Sequence, residues 1–287
     1  MKLRIVILSF LIYLLIAPIR RGGITILGLY SFPLTVLIYS IVYFIFTYAL
    51  LKMFKGTYTS WCVVLSILFG TSILDIPLRI FAFWGTYISF PEFLVRIASI
   101  LLAYLCFSLK NKIAKISIAS MLLFGSLWLS YFGLDMWLHK WNYGTYRPNI
   151  EEVLKTDLIF DTEVEDSKFY VDSVKDKYLI LDFWSSSCRR CVALFPVVQS
   201  LHEYYKDNND VCLISVFCRN NDETILKGKG TIENQDCNFP CVSMNIHDGT
   251  LKTIGVNSYP TVLIIRNNVI IYRGEIEEVK EYIDKRL

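Results

Sequence analysis

Apolar residues crowd the first half of the chain into long runs and break into short, strand-like stretches in the second. The runs are Ile5–Ile19, Ile24–Leu51, Trp61–Trp84, Phe90–Leu109 and Ile116–Leu138. A helix crosses a bilayer with about 20 apolar residues, so the last four are long enough and the first is short. Lys2 and Arg4 before the first run imitate a secretion signal. No small-x-small cleavage site follows, however, and Arg20-Arg21 does, so the run is read as an anchor helix. The pattern predicts five spans, with four as the alternative.

The second half reads differently. Asn142–Lys155 is polar, contains Gly144 and Pro148, and is expected to be a tether. Leu158–Glu163 and Lys168–Val171 suggest a short edge hairpin. Tyr178–Trp184 and Val211–Cys218 are continuous apolar runs, as expected of strands buried on both faces of a parallel sheet. Between them Val192–Tyr205 is amphipathic at helical spacing, and Asn221–Glu233 is a poor helix interrupted by Gly228 and Gly230. A strand near Phe239–Met244, a helix near Gly249–Ile254, a hairpin turning at Asn267-Asn268 and a closing helix over Glu275–Arg286 complete an α/β order.

Charge sharpens the division. Up to Lys140 there are twelve Lys and Arg against three acidic residues, a net +9, and the remainder carries −6. With 54% hydrophobic residues and a mean hydropathy of +0.44, the chain is a membrane domain joined to a water-soluble one. No basic patch with interleaved aromatics appears, so no nucleic-acid partner is expected; the lipid bilayer is. With the N-terminus inside, Lys2, Arg4, Lys52, Lys55, Lys110, Lys112 and Lys115 face the cytoplasm, and Arg20 and Arg21 lie outside. The positive-inside rule then places the C-terminal half outside the cytoplasm, in a multi-pass protein of the cytoplasmic membrane.

Two charged pairs interrupt the apolar runs. Asp75 and Arg79, flanking Pro77, have i,i+4 spacing and are expected to neutralise each other; Glu92 and Arg96 repeat the spacing where interfacial snorkelling would serve them. Cys62 and Cys106 could form an intramembrane relay, but the default is two small packing residues.

The chemistry concentrates where a strand feeds a helix, at Cys188-Arg-Arg-Cys191. A helix N-terminus offers unpaired N–H groups and partial positive charge, which favour thiolate at the first cysteine. Cys188 is therefore the expected nucleophile, and Cys191, one turn on, resolves the mixed disulfide. Asp182 sits in an otherwise apolar strand; as a buried carboxyl it would take the proton from Cys191. Arg189 and Arg190 add fixed positive charge and tune the thiolate. Cys237 and Cys241, flanking Asn-Phe-Pro, are a possible second thiol pair, whereas Cys212 and Cys218 share a strand face and read as core thiols. The three histidines, His139, His202 and His247, have no metal spacing, and no metal is expected.

Asp182, Phe183-Trp184, the Cys-x-x-Cys and Pro196 together resemble thioredoxin. Phe195-Pro196, Asn238-Phe239-Pro240 and Tyr259-Pro260-Thr261 resemble the membrane-tethered TlpA/ResA-type thiol-disulfide oxidoreductases. The resemblance runs from about Ile159 to Leu287. It implies a thioredoxin-like fold, a cis-proline at Pro260, and substrate contacts from Trp184, Tyr259 and Pro260. It also implies no cofactor beyond the redox-active disulfide, and extracytoplasmic thiol or disulfide proteins as partners, with a separate electron donor or acceptor. Ser187 replaces a tryptophan common in the family, the two arginines replace a pair that usually includes proline, and Leu194 replaces a glutamate. Reductase and oxidase directions stay open. The expected organisation is an all-α polytopic transmembrane bundle over 1–140, a tether over 141–157 and a thioredoxin-like α/β domain over 158–287. Rival functions are a redox sensor that catalyses nothing and an accessory domain of a transporter.

Overall fold

The computed structural model describes residues 2–16, 34–163 and 167–287. Arg20-Arg21 and the first part of the Ile24–Leu51 run lie outside the described residues. The chain divides into two compact units, Met1–Leu138 and His139–Leu287.

The first unit is helical: α1 (Lys2–Ile16), α2 (Leu34–Met53), α3 (Ser60–Ser72), α4 (Asp75–Phe81), α5 (Phe83–Tyr87), α6 (Phe90–Ser108), α7 (Lys112–Trp128), a π-helical turn at Leu129–Gly133 and the start of α8 (Leu134–Tyr143). Among the described residues three helices are long and apolar enough to cross a membrane: Thr35–Met53, Phe90–Ser108 and the continuous Lys112–Tyr143. Helices α3 and α4, bent by 48°, would make a fourth as one broken span, and α1 is a shorter apolar helix. The break has a local cause. Pro77 has no N–H to give to Ile73, so it sits in the first turn of a new helix rather than inside a continuous one. Gly70 lets α3 approach α1 closely, since a Cβ there would lie 2.5 Å from the Val6 carbonyl oxygen.

Asp75 pairs along its own helix with Arg79, as its spacing predicts, and also across to Arg96 of α6. Arg96 Nη2 lies 2.7 Å from Asp75 Oδ2, and Arg79 Nε lies 3.3 Å from the same oxygen. The rest of the Arg79 guanidinium donates to the carbonyls of Thr86 and Ser89. Glu92 instead accepts from the Thr35 hydroxyl. Snorkelling of Glu92 and Arg96 is thus overturned: they are 4% and 1% exposed. A lone buried carboxylate is costly, and with Arg79 already shared among carbonyls, Asp75 draws in a second cation. Cys62 and Cys106 line separate grooves of this unit as free thiols.

The second unit is built on one eight-stranded sheet, in the order β1 (Asn149–Val153), β8 (Val269–Gly274), β7 (Thr261–Arg266), β4 (Tyr178–Trp184), β5 (Val211–Arg219), β6 (Cys241–Asn245), β2 (Ile159–Asp161), β3 (Lys168–Tyr170). β4, β5 and β6 run parallel, and β7 and β8 are antiparallel. Helices α9 (Arg189–Tyr205), α10 (Ile225–Glu233), α11 (Gly249–Thr253) and α12 (Val279–Asp284) complete it. β4 lies between β5 and β7 and is buried along its whole length, which is why it reads as an unbroken apolar run. Phe195, Val198, Leu201 and Tyr205 of α9 share a core with Ile180, Trp184 and Leu213 on one sheet face. Asn267 and Asn268 both have left-handed φ, as a two-residue hairpin turn requires.

The expected tether departs from its reading. Asn149–Val153 pairs antiparallel with β8 along the sheet edge, and buried Arg273 holds it through Glu152 at 2.7 Å. A polar sequence suits an edge strand that packs only one face, so composition alone does not mark it.

Removing one partner from a buried ion pair costs about 3–5 kcal/mol. Asp75→Ala should therefore lower the melting midpoint of the full chain in detergent more than Asp75→Ala combined with Arg96→Met. Tryptophan fluorescence on heating measures both, alongside Arg96→Met alone, and a double variant whose loss is the sum of the two single losses would show that the two residues are uncoupled.

Candidate redox site

The site forms where β4 ends. Trp184 is the last strand residue, Ser185–Ser187 turn the chain, and Cys188 caps α9. Its Sγ accepts from the Cys191 N–H at 3.1 Å, one of the amides that a helix start leaves without an internal partner. Cys188 and Cys191 are joined as a disulfide. Cys188 is half-buried and Cys191 buried, so attack from outside falls on the former.

Asp182 lies two residues before the strand end, on the same sheet face as Trp184 and hence on the side of α9. Its register neighbours are Ser215 and Val262. Burial raises its carboxyl to about 7, so the group changes charge near neutrality and is suited to proton exchange with Cys191.

Trp184 is placed otherwise than the resemblance implies. It is 0% exposed, donates its indole N–H to Ser215 Oγ at 2.7 Å, and packs on Phe195 and Phe217. It is a core plug beneath the disulfide, not a substrate contact. The apolar fill needed under a helix that starts at the end of a central strand explains its position. Tyr259-Pro260 is cis, with Pro260 buried and Tyr259 half-buried. The loop is fixed by the Ser258 hydroxyl donating to Asn142 O and the Thr261 hydroxyl to Ser258 O. The Tyr259 hydroxyl meets the Cys218 thiol on the sheet face away from α9; burial drives the phenol up and the thiol up to about 12.

Cys237 and Cys241 are free thiols. Phe239 between them packs edge-on against Phe195 at 5.4 Å. Burial raises both thiols, Cys241 to about 12, so neither supplies thiolate near neutrality. Cys212 is half-buried and Cys218 fully buried, and both pack in the opposite core. Among the described residues no group of three His, Cys, Asp or Glu side chains converges as a metal site would.

The two arginines separate. Arg190 Nη2 is 2.9 Å from Glu275 Oε2, and the Tyr143 hydroxyl donates to the other carboxylate oxygen at 3.2 Å. Arg190 remains 57% exposed, so the pair is partly screened, but its charge is offset where it would act on Cys188. Arg189 is exposed and forms no ion pair among the described residues. Sequence reasoning does not find Glu275 or Tyr143: each is remote in the chain, and only the packing of the turn that follows Glu275 against α9 brings the carboxylate to the motif.

A buried carboxyl raised to about 7 from an ordinary 3.8 binds its proton more tightly in the folded state. Stability therefore falls as pH rises from about 4 to 7 and is level above, by up to about 4 kcal/mol. Asp182→Asn should remove that decline, leaving the variant more stable than the parent at pH 8. It should also abolish the rise of mixed-disulfide resolution through about pH 7. Denaturant unfolding and stopped-flow release at several pH values measure the two effects. Glu275→Gln should free the Arg190 charge and lower the pH at which Cys188 is alkylated; an unchanged profile would show that Arg190 does not act on that sulfur.

A thioredoxin-like family profile matches residues 176–271. The chain is 27% identical over 127 residues to the thiol-disulfide oxidoreductase ResA of Bacillus thuringiensis subsp. konkukian, spanning 44% of this chain and 70% of the relative. It is 30% identical over 121 residues to ResA of Oceanobacillus iheyensis, spanning 41% and 56%. Among solved structures, a thiol:disulfide interchange protein from Bacteroides sp. aligns with a TM-score of 0.41 at 17% identity, covering 47% of this chain and 88% of its own. StoA of Bacillus subtilis aligns at 0.36 with 21% identity, covering 46% and 98%. The chain thus carries a thioredoxin-like domain, similar to the ResA-type relatives, and its chemistry is that of a protein thiol-disulfide oxidoreductase.

Proposed function

We propose that the protein is a membrane-anchored thiol-disulfide oxidoreductase that exchanges disulfides with extracytoplasmic proteins through Cys188 and Cys191. The observation that carries this is Cys188 Sγ on the Cys191 amide at the start of α9, with Asp182 buried in the strand beneath. In the reducing direction the Cys188 thiolate attacks a substrate disulfide. A Cys188–substrate disulfide forms and one substrate thiolate leaves. Asp182 takes the proton of Cys191, whose sulfur then attacks Cys188 Sγ and releases the second thiolate. Two electrons pass to the substrate, and a separate dithiol partner returns them; the oxidising direction is the same sequence reversed. The free positive charge of Arg189 favours thiolate and so biases exchange toward oxidising the substrate. Main-chain groups beside the Tyr259-Pro260 bond are the surface on which an extended substrate would lie.

Membrane attachment rests on the apolar helices, and orientation on their loops. Lys52 lies in the last turn of α2 and Lys55 just after it; Lys110 lies between α6 and α7, and Lys112 and Lys115 at the start of α7. If α2, the α3–α4 pair, α6 and α7–α8 each cross once, both clusters share one side, whether or not α1 crosses. That side is cytoplasmic by the positive-inside rule, which leaves residues 144–287 outside, where disulfides are made and sorted.

The full chain carrying Cys191→Ser should accumulate mixed disulfides with substrate proteins, detected by non-reducing electrophoresis, and Cys188→Ser should accumulate none. Trapping by neither variant would remove the exchange mechanism. A reporter active only in the cytoplasm, fused after residue 287, should be silent; activity would reverse the orientation.

A further inference from the structure

Glu223 takes no part in the exchange steps above, yet it is tied to the turn that delivers Cys188. It follows β5, and its side chain is 4% exposed. Four donors converge on its two oxygens. The Ser186 hydroxyl reaches Oε1 at 2.5 Å and Lys227 Nζ reaches it at 2.6 Å. Oε2 accepts from the Asn220 backbone N–H at 2.9 Å and from Asn220 Nδ2 at 3.3 Å. Burial alone would raise this carboxyl; the bonds from Lys227, Ser186 and Asn220 outweigh it and hold the group at about 2. It is a carboxylate throughout the working range.

Ser186 belongs to the turn between β4 and α9. The Cys188 N–H donates to Ser185 O at 3.0 Å, closing that turn, and Ser185 and Ser187 share a hydroxyl contact at 3.2 Å. The Ser186–Glu223 bond therefore joins a turn, otherwise closed on itself, to the end of the neighbouring parallel strand. The distance from Cys188 Sγ to the Cys191 amide depends on where the turn places Cys188. A short charge-assisted bond to a buried anion is among the stronger restraints a side chain offers.

We propose that Glu223 is a positioning residue of the redox site: through Ser186 it fixes the turn so that the Cys188 sulfur meets the Cys191 N–H. The inference rests on the exchange reading above and gives that site a part supplied by the β5–α10 loop. It also makes a prediction about sign. Deleting a nearby negative charge would by itself favour the Cys188 thiolate, whereas losing the amide contact would disfavour it. The charged and titratable groups nearest Cys188 are Arg189, Arg190 and, once reduced, Cys191 on α9, and Asp182 in β4, with Glu275 acting through Arg190. Substitution at Glu223 or Ser186 leaves all of them in place.

The test uses the full chain in detergent, reduced with dithiothreitol and desalted. Iodoacetamide modification of the Cys188 peptide is followed by mass spectrometry across pH for the parent, Ser186→Ala and Glu223→Gln. Both variants should be alkylated about threefold more slowly at pH 7, a shift of about half a pH unit in the same direction. Faster alkylation of Glu223→Gln with an unchanged Ser186→Ala profile would mean the carboxylate acts by its field, and would overturn the proposal. Profiles that overlay the parent's while melting falls would reduce the contact to a structural staple and overturn it equally. Ser186→Ala leaves three donors on the carboxylate, so the test survives if Glu223→Gln fails to fold. If the parent exchanges no disulfide with a peptide substrate while the variants still slow alkylation, the exchange reading falls and the positioning role stands.

Discussion

The Cys188 sulfur rests on the Cys191 N–H because a helix begins at that residue and leaves its first amides without carbonyl partners. That geometry makes demands on everything around it. β4 must end at Trp184, so the strand has to sit at the centre of the sheet, where β5 and β7 hold it from both sides. Helix α9 must lie flat on the sheet from its first turn, so Phe195 and Trp184 fill the space beneath it edge-to-face. The turn between strand and helix has to be held by something other than its own short hydrogen bonds. The Ser186–Glu223 contact serves that purpose from the next loop.

Buried carboxyls are handled in two opposite ways in this chain. Asp75 in the helical unit is met by two guanidiniums, so its charge is balanced on the spot. Asp182 lies among apolar neighbours with no cation paired to it among the described residues, and burial raises it to about 7. A neutralised pair packs and stays silent, whereas a desolvated lone acid is poised to exchange a proton. The contrast separates a charge balanced on the spot from an acid that changes charge near neutrality. Around the disulfide the fixed charges are also partly cancelled, with Glu275 facing Arg190 and Lys227 facing Glu223. Arg189 is left as the exposed cation next to the nucleophile.

Much of this is legible in the order of residues alone. The apolar run of β4, the Cys-x-x-Cys at a helix start, Asp182 within that run, the hairpin at Asn267-Asn268 and the parallel character of β5 follow from local pattern. So does the break at Pro77. Less visible are the edge strand Asn149–Val153, whose polar residues look like linker, and the burial of Trp184, which a motif shared with substrate-contacting residues obscures. Local spacing misleads at Arg96 because its nearest acid along the chain, Glu92, is not the acid it meets.

Local pattern thus settles which residues carry the chemistry and which segments are strand, helix or apolar span, because backbone preference and hydrophobic period act over a few residues. Packing chooses the partners: Arg96 for Asp75, Glu275 for Arg190, Glu223 for Ser186 and Ser215 for the Trp184 indole. Each joins positions far apart in the chain, and side chains of a few ångströms' reach meet only after sheet order and helix packing set their separation. Electrostatic and hydrogen-bond energies fall steeply with distance, so the tuning of this site is a property of the packed fold.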